Sequence, residues 1–170
     1  MNDMSSNRTE RENSVKLLYR ALSAGGIRHL DSRENHRLFF LLEGNVSLKT
    51  TDNDECILRG REFVLLPPAN IIYCSALEDS RCVVINCIRL KINGNSSYWE
   101  ELREQVETGI TVNRPIPIRG WFLKVLEDFA FYPVSEDMYP PIYDMVFIIM
   151  RALYSQEEML SLFLPVLRKE

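Results

Sequence analysis

Few side chains in this 170-residue sequence have the type and spacing to do chemistry, and most of those argue against it. Four cysteines, Cys56, Cys74, Cys82 and Cys87, sit in apolar, strand-like stretches. None forms a C-x-x-C pair, and neither histidine, His29 or His36, stands beside them at zinc-site spacing. They read as small buried hydrophobes in a reducing compartment, with no disulfide or metal expected. No Ser, His and Asp arrangement accompanies a nucleophile-elbow pattern. Gly25-Gly26, Gly44 and Gly60 are isolated turn residues, not a phosphate-cradling loop. No catalytic residue is assigned. What remains are polar or aromatic residues in apolar surroundings, the usual lining of a small-molecule pocket: Phe40, Tyr73, Asn86 and His36. Asn86 interrupts the run Val83-Val84-Ile85 and Cys87-Ile88, where an amide needs a partner, either a ligand or a neighbouring loop. His36 opens a strand, either as a polar contact at a pocket mouth or as a solvated residue. Arg37 and Glu43 read as surface charges.

The elements that must position these residues are short and β-rich. From Leu38 to Pro68 the chain reads as strand, tight turn, strand, hairpin, short strand, glycine turn and strand, closed by Pro67-Pro68. Such spacing leaves no room for crossover helices, so the strands pair antiparallel in a sandwich or rolled barrel. Glu43-Gly44-Asn45 is hairpin-turn chemistry. Val46, Leu48 and Thr50 alternate with Ser47 and Lys49, placing one face on a core and the other in water. Ile71 to Ala76 and Arg81 to Leu90 add two more strands, roughly seven or eight in all. Ahead of them, Asn13 or Ser14 caps an expected short helix carrying Val15, Leu18 and Leu22, stopped by Gly25-Gly26.

After Lys91-Ile92-Asn93-Gly94 the pattern turns helical. Ser96 or Ser97 caps a helix through Trp99, Leu102 and Val106; a second carries Ile118, Phe122, Val125, Leu126 and Phe129 at helical spacing. The third, framed by Pro133 and Pro140-Pro141, is apolar nearly all round from Ile142 to Leu153. It is either sandwiched between barrel and last helix or part of a dimer interface, with Met145, Ile149, Met150 and Leu153 as the interface residues. Ser155 and Glu158 have capping-box spacing and open a last helix through Leu167. The expected domains are 1–26, lead-in and short helix; 27–92, β-barrel; and 93–170, a helical segment packed on the barrel. The fold class is α+β: an antiparallel jelly-roll barrel followed by a C-terminal helical bundle.

A hydrophobic share of 46%, with eight Phe, seven Tyr and two Trp, is enough to build a packed core. A net charge of −4 and the absence of a basic run give the chain no general attraction for phosphate backbones. The polar start MNDMSSNRTEREN is no signal peptide, and the apolar run from Met145 to Met150 falls far short of the roughly 20 residues of a membrane span. A cytoplasmic location, without membrane contact, is expected.

The stretches LFFLLEGNVSL and GREFVLLPP, with Tyr73 soon after, resemble the cupin-type barrel of the N-terminal sensor domain of AraC-type transcription regulators. The tail from Pro141 to Leu167, ending RALYSQEEMLSLFLPVL, resembles the helix pair that follows that barrel, so the resemblance covers about residues 36–167. It implies a homodimer that senses a small molecule, a sugar or related metabolite, in a barrel pocket without a cofactor. It also implies DNA binding only through a separate helix-turn-helix pair, which needs on the order of 100 further residues. The chain stops at Glu170, as a regulator trimmed at its domain boundary or as a stand-alone dimerising modulator.

Metal-dependent cupins place two His and a Glu on early strands and another His beyond the second-motif proline. With Gly44 closing the first motif, the Glu position falls on Arg37, the early His positions between Leu30 and Arg33, and the last near Ile72. None is a ligand, so no metal is expected, and the enzyme alternative is a small metal-independent cupin. A cyclic-nucleotide roll would need an Arg to clamp phosphate, yet the chain after Phe63 runs VLLPPAN.

Overall fold

The computed structural model describes residues 16–32, 36–50, 55–66, 68–87, 100–105, 114–132 and 134–167. Its β part comprises β1 (Lys16–Leu22), β2 (Ile27–Ser32), β3 (His36–Glu43), β4 (Asn45–Thr50), β5 (Glu55–Arg59), β6 (Glu62–Leu66), β7 (Ala69–Ala76) and β8 (Ser80–Cys87). A two-residue strand β9 (Ile116–Pro117) follows much later in the chain. The strands form a five-stranded sheet, β1-β8-β3-β6-β9, and a four-stranded sheet, β2-β7-β4-β5, with every pairing antiparallel. From β1 to β8, consecutive strands alternate between the sheets except at the β4–β5 hairpin. That order is the double Greek key of a jelly roll, the architecture of cupin barrels.

The N-terminal helix is corrected to strand β1. KLLYRAL can present Leu18 and Leu22 at helical spacing, but seven residues from Lys16 to Leu22 pair in register with Asn86 to Ser80 of β8. Cross-strand pairing of the whole segment outweighs a small local helix preference. The five-stranded sheet therefore includes Lys16–Leu22, ahead of residue 27. The turns at β3–β4 and β5–β6 cross from one sheet to the other, so Glu43-Gly44-Asn45 is corrected from a hairpin to a sheet crossing, and each turn holds a residue with left-handed backbone. Gly44 (φ 100°) closes β3 onto β4, and a Cβ there would stand 2.6 Å from the Asp79 carbonyl oxygen. At the β5–β6 turn the left-handed residue is Arg61 (φ 68°) rather than Gly60.

Three helices follow: α1 (Trp121–Phe131), α2 (Tyr139–Leu153) and α3 (Gln156–Leu167). A helical stretch at 100–105 precedes them, while Ser96, Ser97, Trp99 and Val106, expected on the same helix, lie outside the described residues. Pro140 and Pro141 fall in the first turn of α2, where a missing amide hydrogen costs nothing. Ser155 and Glu158 cap α3 reciprocally: the Glu158 amide donates to Ser155 Oγ at 3.2 Å and the Ser155 amide to Glu158 Oε1 at 3.0 Å.

Two hydrophobic cores share one wall. Phe39, Leu41, Val64 and Val84 of the five-stranded sheet face Val46, Leu48, Leu58 and Ile72 of the four-stranded sheet. Their neighbours Leu38, Phe40, Phe63 and Ile85 point the other way and meet Phe122 of α1, Val146 and Met150 of α2, and Phe163 of α3. The helices thus cover one outer face of the barrel.

Candidate functional site

Strand alternation decides what looks into the barrel. On β3, Phe39 and Leu41 face inward, which puts Arg37 on the same inner face. On β8, Cys82 and Val84 face inward, and Asn86 follows them. Arg37 is the direct cross-strand partner of Asn86, and on its other side it lies opposite Leu66 of β6, also an inward residue. Asn86 is 3% exposed and Arg37 is half-buried. Farther along, the interior is closely filled: Phe39, Leu41, Val46, Leu48, Leu58, Val64 and Ile72 are all buried. The barrel is a packed core carrying a polar pair at the end where β3 begins and β8 ends.

Of the four expected ligand contacts, Asn86 alone lies on this inner face. Phe40 is corrected to the helix side, where it stacks on Phe63 (ring centroids 4.8 Å) and meets the edge of Phe122 at 5.4 Å. Tyr73 is corrected to the outer face of the four-stranded sheet, because Ile72 and Cys74 take the inward positions; its ring meets His29 edge-on at 4.7 Å. His36 shares the alternation of Leu38 and Phe40, so it lies on the helix side and is buried rather than solvated. Arg37, read as a surface charge, belongs to the inner face. The signal that could have found it was its place two residues before Phe39, but the unbroken run LFFLL hides which alternate set is inside.

The inward cysteines have no reactive character. Burial pushes the Cys74 thiol up to about 11 and the Cys82 thiol up to about 12, Cys74 being the lesser influence on Cys82. Cys56 is raised by burial and then by Glu62. Protonated at neutral pH, these thiols are poor nucleophiles and poor metal ligands. Among the described residues no three His, Cys, Asp or Glu side chains group as a metal site.

The expected interface helix divides by face. Ile149 and Met150 are corrected to the intramolecular core, at 6% and 0% exposure, with Leu153 packed against it. Met145 is 40% exposed and shares its face with Ile148, which is 65% exposed. At the α2–α3 junction, Tyr154 is buried against Phe63 at 5.4 Å and under the Arg119 guanidinium, 4.9 Å from the ring centroid. Arg119 forks onto the Glu158 carboxylate, with Nη1 at 2.6 Å from Oε1 and a second contact to Oε2. This junction therefore ties the C-terminal helices to β6 and β9.

The architecture defines a class: a cupin-like jelly roll with a helical layer on one sheet. No protein-family model matches the sequence, and no curated protein does. Among solved structures, the chain is similar to ToxT from Vibrio cholerae, with 12% identity and a TM-score of 0.44 over 83% of this chain and 57% of that one. It is also similar to a cupin superfamily protein from Desulfitobacterium hafniense (14% identity, TM-score 0.40, 44% of this chain and 68% of that one). A third is the EutQ protein of Clostridium difficile (10% identity, TM-score 0.38, 46% of this chain and 60% of that one). The chain spans less than two thirds of the length of ToxT and of EutQ. No helix among the described residues is long and apolar enough to cross a membrane.

Proposed function

We propose that this chain is an effector-sensing and dimerising domain of an AraC-type transcription regulator, working by binding rather than by turnover. The observation that carries the reading is the shared wall. Phe39 and Phe40 are adjacent on β3, one inside the barrel and the other against α1, so a shift of that strand is felt in both cores. Packed cores move between discrete arrangements instead of deforming smoothly, and a ligand that favours one arrangement shifts the population toward it. The exposed Met145 and Ile148 on α2 are where a second copy would sit, and helix packing is what the ligand would change. DNA would be read by a helix-turn-helix pair outside these 170 residues.

The test is a metabolite panel scored by thermal shift on the purified chain, with light scattering on the same samples. A small molecule selective for the folded state raises the melting temperature, and one that acts as an effector also moves the dimer equilibrium. A chain that stays monomeric at all concentrations and answers no compound would overturn the reading. Turnover of any compound in the panel would transfer the chain to the enzyme class.

A further inference from the structure

We propose that the open edge of β5 pairs with the same strand of a second copy, antiparallel and centred on Ile57, in a contact separate from the α2 face. β5 ends the four-stranded sheet, and among the described residues only β4 pairs with it. Two bonds fix the direction of its backbone groups. The Asn45 carbonyl accepts from the Leu77 amide on the β7 side, and the Arg59 amide donates to Glu62 Oε1 at 2.8 Å. Asn45 and Arg59, directly opposite, thus turn away from each other, so Val46–Leu58 and Leu48–Cys56 are the hydrogen-bonded pairs. Glu55, Ile57 and Arg59 therefore direct their amides and carbonyls to the open edge.

The side chains make that edge self-complementary. Cys56 and Leu58 face the core, so Glu55, Ile57 and Arg59 share the outer face; all three are exposed, Ile57 at 46%. A two-fold axis at Ile57 sets Glu55 against Arg59 of the second copy, and Arg59 against its Glu55. Of the three residues whose backbone reaches the edge, only Ile57 as the centre overlaps the whole strand and matches opposite charges. Ser47 Oγ donates to Glu55 Oε1 at 2.8 Å and holds the carboxylate in place on that face. Like charges would repel across such an edge and guard it; these attract. The helices cover the other sheet, so the α2 face and the β5 edge can each take a copy. A five-residue strand buries little beside the roughly 800 Å² per partner of a stable interface, so the contact acts between copies already held close.

The experiment uses the 170-residue chain carrying Ile148→Glu, which takes the α2 face out of play, in light scattering from dilute solution to about 1 mM. It should be a monomer when dilute and approach a dimer at the upper end. Glu55→Arg or Arg59→Glu alone sets like charges opposite each other twice and should weaken association at least about tenfold. The double swap, Glu55→Arg with Arg59→Glu, rebuilds both pairs and should recover association to within about threefold. Ile57→Pro removes an edge amide that β4 does not use, so the chain should keep its circular dichroism spectrum and stay monomeric. In wild type the same contact shows as growth beyond the α2 dimer and answers to the same swap, which serves if Ile148→Glu fails to fold. Single variants that associate as well as their parent, a double swap without recovery, or no association at any concentration would overturn the β5 contact and leave the sensing function standing.

Discussion

The phenol of Tyr154 donates a 2.6 Å hydrogen bond to the carbonyl of Pro117 and accepts one of 3.0 Å from the amide of Arg119. A single side chain at the α2–α3 junction thereby satisfies two backbone groups, one at the end of β9 and one just beyond it, β9 being the strand that extends the five-stranded sheet beyond β6. Tyr154→Phe keeps the ring against Phe63 but strands both groups. The expected loss is about 1–3 kcal/mol, read as a lower urea midpoint. An unchanged midpoint would mean that solvent replaces the phenol without penalty.

Alkaline unfolding should register the same residue. Burial pushes the Tyr154 phenol from 10 up to about 12, against smaller lowering influences from Arg119. A raised folded-state value means the unfolded chain gives up its proton first. The phenol's contribution is therefore complete below pH 10 and disappears as pH rises through about 12. Stability measured across that window should fall more steeply in wild type than in Tyr154→Phe.

Glu158 works in the acid range with the opposite sign. The Arg119 fork, together with the Ser155 amide, holds its carboxyl below the usual carboxylate range. Its contribution is present above the unfolded-state value and is lost as pH falls through the folded one. Glu158→Gln keeps the capping geometry and removes the charge. With the Arg119 side chain 43% exposed, solvent screening limits the loss to about 0.5–1 kcal/mol at neutral pH. The difference between variant and wild type should vanish in acid.

Gly44 and Gly25 make a matched pair of tests. Both have positive φ, but a Cβ at Gly44 collides with the Asp79 carbonyl and Ser80 Oγ, whereas at Gly25 it meets nothing within 4 Å. Gly25→Ala should cost about 1–2 kcal/mol, the backbone strain alone. Gly44→Ala should cost several times that or prevent folding, because the β3–β4 and β7–β8 turns must separate. Equal midpoints for the two variants would contradict the close approach.

On α2, neighbouring positions should behave oppositely. Met150→Ala opens a cavity between helix and sheet and should cost about 2–5 kcal/mol with no specific effect on association. Ile148→Glu touches no core and should leave the melting temperature within about 0.5 kcal/mol while converting the proposed dimer to monomer in light scattering. A dimer that survives Ile148→Glu would place the interface elsewhere.

The amino-acid sequence alone determined whatever one local period or one short motif can specify. In β4 the alternation marks Val46 and Leu48 as the core side and Lys49 as exposed, but Ser47, read as facing water, is buried and donates to Glu55 Oε1. The Ser155–Glu158 cap was legible for the same local reason. Tertiary structure decided the rest. β3 is buried on both faces, so LFFLL carries no alternation, and the sequence cannot say whether Phe39 or Phe40 looks into the barrel. That one ambiguity displaced Phe40 and hid Arg37. Tyr73 was misplaced because its strand's parity is set by pairing with β2 and β4. Lys16–Leu22 reads as a helix until β8 offers it seven backbone partners. In each case the missing information is which surface a segment packs against, a property of distant chain segments that composition and spacing do not encode.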